Sequence, residues 1–81
     1  MRKPTTAQGR LLIEMHEGRL LMKLWTSDRD AYRYTINTWP ASKRTVESCI
    51  RHGWIDVLSG RFGDPFNRCQ LSHAGLEAIT P

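Results

Sequence analysis

The 81-residue sequence predicts a small α+β domain, a winged-helix-like order of helix, hairpin, helix, hairpin (wing), helix. Three observations carry the α+β prediction. Apolar residues recur at helical spacing in three separate segments. Two further segments alternate side chains with the period of two that a strand requires. The four prolines, at positions 4, 40, 65 and 81, fall at the edges of these segments. The length suits one domain over 1–81, with 1–6 expected as a flexible N-terminus. A chain this short buries only about 60% of its unfolded surface, so modest stability is expected.

In the first segment Leu11, Leu12 and Met15 share a face with Gln8, one turn earlier, which predicts a helix over 7–17. Thr5 or Thr6 supplies its N-cap and Gly18 its left-handed stop. Gly9 weakens the first turn by about 1 kcal/mol relative to Ala. Leu20, Met22 and Leu24 then alternate with Leu21, Lys23 and Trp25. After the polar stretch 26–30, Tyr32, Tyr34 and Ile36 alternate with Arg33 and Thr35. Together these runs predict a β-hairpin. The competing reading continues the opening helix through the first run, because Leu, Met and Lys are good helix formers.

Residues 37–41 read as a connector. Ser42 caps a second helix over 42–52, with Val46, Cys49 and Ile50 as its buried stripe and Gly53 as its end. Residues 54–58 read as a strand and 68–71 as its return. Between them lies a loop over 59–67 with Gly60, Gly63 and Pro65. Ser72 caps a short last helix through Ile79, with Leu76 and Ile79 facing inward. Trp25, Trp39, Trp54, Tyr32 and Tyr34 are expected in the core or at its edge, rather than as a stacking platform for single-stranded bases.

Twelve Lys and Arg against eight Asp and Glu leave a net charge of +4, which favours a polyanionic partner. Nine of the twelve are Arg, the side chain suited to bidentate phosphate and guanine contacts. No apolar run approaches the ~20 residues needed to span a bilayer, so no membrane role is expected. With no apolar run behind the basic start, no secretory signal is expected either, and a cytoplasmic location follows. Cys49 and Cys69 are too few for a disulfide framework and read as reduced, buried hydrophobes. His16, His52 and His73 do not combine with them at zinc-ligand spacing, so neither metal nor cofactor is expected. No phosphate loop, nucleophile elbow or carboxylate pair points to an enzyme.

The segment 41–79 resembles the winged-helix family of DNA-binding domains. Four stretches carry the resemblance: Ser42-Lys43-Arg44-Thr45-Val46-Glu47, Arg51-His52-Gly53-Trp54-Ile55, Arg68-Cys69-Gln70-Leu71 and Ser72-His73-Ala74-Gly75-Leu76. Their order matches a recognition helix, its glycine turn, a two-stranded wing and a closing helix. The resemblance implies a small double-stranded-DNA-binding transcription regulator of bacterial or phage type, acting as a dimer. It departs from the family ahead of the recognition helix, where Leu20 to Ile36 read as strands instead of a supporting helix.

The residues add a physical reading of their own. On the second helix Arg44, Ser48 and Arg51 recur at i, i+4 and i+7, with Lys43 beside them. Such a helix suits the major groove, where Arg pairs with guanine O6 and N7. The Ser42 and Thr45 hydroxyls and the first helical amides suit a phosphate. Arg61 and Arg68, on the second hairpin, suit a wing that follows the backbone. Glu47 counts against the reading, because a carboxylate amid these cations repels phosphate unless it accepts from a cytosine amino group or pairs with Arg51. A plainly solvated helix face is the competing interpretation. Phe62 and Phe66, expected in the loop, would serve a protein partner instead, which makes a protein-interaction module the alternative function.

Overall fold

The computed structural model describes residues 3–25, 31–58 and 66–80. It is an α+β domain of three helices and one antiparallel sheet. Helix α1 spans Thr6–His16, and strands β1 Leu21–Trp25, β2 Tyr32–Ile36 and β3 Trp39–Ala41 follow. Helix α2 spans Lys43–Arg51, strands β4 Ile55–Val57 and β5 Phe66–Leu71 come next, and α3 spans His73–Ile79. The sheet order is β3-β2-β1-β5-β4. Central β1 therefore joins the first hairpin to the second.

Each helix is bounded by the chemistry its sequence supplies. Thr5 caps α1 in a full capping box: its hydroxyl accepts from the Gln8 amide, and Gln8 Oε1 accepts from the Thr5 amide at 2.8 Å. The remaining amide group of Gln8 donates to Ser48 Oγ on α2, so one buried polar side chain caps a helix and links two. Gly18 and Gly53, at φ 101° and 79°, end α1 and α2 in the left-handed conformation. The amides that follow, of Arg19 and Trp54, reach back to the carbonyls of Glu14 and Cys49.

Alternation along β1 sorts the sheet into two faces. Leu21 lies opposite Ile36 and Cys69, and Lys23 opposite Tyr34 and Asn67. This face meets the helices: Leu11 and Leu12 of α1 and Val46 and Cys49 of α2 cluster with Leu21, Tyr34, Ile55, Cys69 and Trp54. Met22, Leu24, Arg33, Thr35, Phe66 and Arg68 occupy the other face. Burial raises both cysteine thiols from 9.0 to about 11, so they pack as neutral, unreactive groups.

The junction of α2, β4 and α3 is tightly tied. The Ser72 amide donates to the Trp54 carbonyl at 3.0 Å, and its hydroxyl donates to the Gly53 carbonyl at 2.6 Å. Gly75 presses against the same peptide: a Cβ there would collide with the Trp54 carbonyl oxygen.

Several expectations need correcting. The stretch 37–41 is more than a connector, because Asn37 and Thr38 form a two-residue turn into β3. Pro40 hid that strand, since proline is admitted to a sheet at its edge, and β3 is an edge strand. Phe66 and Asn67 belong to a strand instead of the expected loop. Leu76 is 36% exposed, and the buried residue of α3 is Gly75. Trp39 is 74% exposed, whereas Trp54 and Tyr34 are buried as expected.

Two substitutions test this local geometry. Thr38, a β-branched residue at φ 73°, occupies a position suited to Gly. Thr38→Gly is expected to raise stability by about 1 kcal/mol, a few degrees in Tm. Gly75→Ala is expected to lower it by about 2–3 kcal/mol, because a backbone carbonyl cannot yield as a side chain can. Thermal and urea unfolding of both variants measures these opposite effects.

Candidate nucleic-acid interface

Helix α2 is gripped along both flanks, and the grip decides which of its side chains reach solvent. On the α1 side, Ser48 is half-buried and accepts from Gln8. On the sheet side, Glu47 Oε2 accepts from the Tyr32 hydroxyl at 2.5 Å. Between these flanks Arg44 and Arg51 are exposed, and neither forms an ion pair among the described residues. The stripe expected from i, i+4, i+7 spacing is therefore corrected: Arg44 and Arg51 share the solvent face, and Ser48 turns to α1.

Lys43 is exposed at the start of α2, with its ammonium 3.9 Å from the centre of the Tyr32 ring. Lys23, from β1, lies 4.1 Å from the same ring and 4.6 Å from that of Trp25. Negative ring faces hold both ammoniums in place. Trp25 is fixed in turn by its indole N–H, which donates to Asn67 Oδ1 at 2.8 Å. A cationic band thus runs from Lys23 through Lys43 to Arg44 and Arg51. Lys23, Glu47 and Arg51 line one shallow crevice with Tyr34 and Val57.

The other expected contacts are distributed differently. Ser42 caps α2, its hydroxyl accepting from the Thr45 amide at 3.3 Å, so both groups are already engaged with each other. Thr45 is half-buried beside Arg10 and Glu14 of α1, in a crevice that also includes Pro40 and Ala41. Arg68 stands opposite Met22, on the sheet face turned away from α2. The structure does not join it to the helix surface. Arg61 and Phe62 lie outside the described residues.

The sequence reading missed Lys23 and the role of Tyr32. A signal was present: Lys23 is in phase with Leu21 and Trp25, a cation on the otherwise apolar side of a strand. It is accommodated because Trp25 and Tyr32 are only half-buried there and offer it their ring faces.

The Glu47 carboxylate raises the Tyr32 phenol above its ordinary value of 10.0, first by accepting its hydrogen bond. Burial, with the Glu47 charge adding to it, raises Tyr34 well beyond the usual range. Among the described residues no group of three or more His, Cys, Asp or Glu side chains is placed to hold a metal ion. No helix among them is long and apolar enough to cross a membrane. No protein-family model, curated protein or solved structure matches the chain.

The Tyr32–Glu47 pair has a measurable signature. Glu47→Gln removes the charge that disfavours the phenolate, so tyrosine ionisation is expected at lower pH than in the wild type. Ultraviolet titration of tyrosinate reads the shift directly. Superimposable curves for the two proteins would contradict the pairing.

Proposed function

We propose that the chain binds double-stranded DNA through the solvent face of α2, with Arg44 and Arg51 entering the major groove. Lys43 and Lys23 then meet the adjoining phosphates. The observation that carries this reading is the engagement of Glu47. Its carboxylate accepts from Tyr32 on the sheet flank of the helix, and Arg44 and Arg51 face solvent with no acid partner among the described residues. The carboxylate keeps its charge beside Lys23 and Arg51, and the four cations Lys23, Lys43, Arg44 and Arg51 outnumber it on this side of the domain.

Arginine is suited to both tasks, pairing in fork geometry with guanine O6 and N7 or with phosphate oxygens. The net charge of +4 supports the same partner. Resemblance to winged-helix domains extends the proposal to a small transcription regulator of bacterial or phage type. Ser42 and Thr45 serve this reading by fixing the first turn of α2, and Ser48 by anchoring it to α1. Arg68 falls outside the proposed contact.

Anisotropy of labelled random-sequence duplex DNA tests the proposal. With about four phosphates neutralised, affinity should fall about 100-fold between ~50 and ~200 mM salt. Arg44→Ala with Arg51→Ala should weaken binding at least tenfold and reduce the salt slope by about 2. Lack of binding at the lower salt, or unchanged affinity in the double variant, would overturn it.

A further inference from the structure

The sheet face opposite the helices has a chemistry of its own. Along β1 and just before it, Leu20, Met22 and Leu24 form an apolar row, and Phe66 of β5 stands opposite Leu24. Leu20 and Phe66 are 37% and 41% exposed, and Met22 and Leu24 are half-buried. Among the described residues no helix covers this row, because all three pack on the other face or against one another. Arginines flank it: Arg33 on β2 stands opposite Leu24, and Arg68 on β5 stands opposite Met22. Both are exposed, and neither is ion-paired among the described residues.

We infer that this face docks an amphipathic helix of a partner protein whose apolar stripe is bordered on both sides by carboxylates. The dimensions agree. Leu20 to Leu24 covers about 13 Å of strand, close to two turns of helix, about 11 Å. The strands bearing the two arginines lie about 10 Å apart across β1, close to the width of a helix. Arg33 and Arg68 are offset by two residues along the strand, so the carboxylates they meet belong on opposite flanks about one turn apart. A helix laid there would give the sheet a layer on each face, the arrangement that buries both of its sides.

Charge separates this occupant from the others. Stacking two copies of the face would bring four arginines into one interface. The single acid on its described part, Asp56, lies two strands from β1. Single-stranded nucleic acid would need a series of stacking rings, and Phe66 is the one aromatic residue in this apolar row. The inference is independent of the α2 reading, since it concerns the opposite face and different residues.

The test uses two fluorescein-labelled synthetic amphipathic helices with the same leucine stripe, one flanked by Glu and the other by Lys. The intact protein is expected to bind the Glu-flanked peptide at least tenfold more tightly. Arg33→Glu with Arg68→Glu, two exposed positions unneeded for the core, should reverse that preference while circular dichroism stays unchanged. Absence of binding, equal affinity for both peptides, or a preference that the charge reversal leaves intact would overturn the inference. So would a dimer in sedimentation that Leu24→Glu dissolves, which would assign the face to a second copy. Loss of duplex DNA binding in the double reversal as severe as that of the Arg44 and Arg51 variant would assign it to nucleic acid.

Discussion

The structure depends on β1 holding the centre of the sheet. It pairs with β2 on one side and β5 on the other, and without it the two hairpins would share no backbone hydrogen bonds. Its register is pinned by Leu21, fully buried beneath the helices between Ile36 and Cys69. A slip of one residue would drive Lys23 out of its aromatic setting and carry Met22 and Leu24 toward the core. Register therefore decides fold and surface chemistry together. Odd positions of β1 build the helix-facing core and its cationic edge, and even positions build the open face.

Helix α2 depends on the same placement. Two hydrogen bonds hold its flanks, Gln8 to Ser48 on one side and Tyr32 to Glu47 on the other. Each comes from an element whose own position is fixed: Gln8 by the capping box of α1, and Tyr32 by its pairing with Trp25 on β1. The outcome is a helix whose one acid is engaged by the fold while two arginines remain open to a ligand. Helix periodicity alone already singles out Arg44 and Arg51 for the proposed DNA contact; the tertiary hydrogen bonds add the directions of Ser48 and Glu47.

Local signals made most of the fold legible. The capping residues Thr5, Ser42 and Ser72 and the stops Gly18 and Gly53 mark helix ends, and alternation marks the β1–β2 hairpin. Edge strand β3 escaped, because three residues containing proline carry little periodic signal. Leu76 was misplaced for another reason. Helix α3 makes its closest approach through Gly75, at the Trp54 peptide, and a residue without a side chain gives no hydrophobic signal. At the candidate site, Arg44, Arg51 and Lys43 were legible as exposed cations. The direction of Ser48, the engagement of Glu47 and the separation of Arg68 from α2 each depend on which element packs on which flank. Sheet order determines that, and it is a long-range property.

The central claim is that the two faces of this small domain are chemically distinct, with duplex DNA addressed by α2. Amide chemical-shift mapping with a short duplex at low salt tests it most directly. The account predicts perturbations centred on Lys43, Arg44, Arg51 and Lys23, with Met22, Leu24, Arg33 and Arg68 unmoved. Shifts centred on the open sheet face, or none anywhere at low salt, would contradict it.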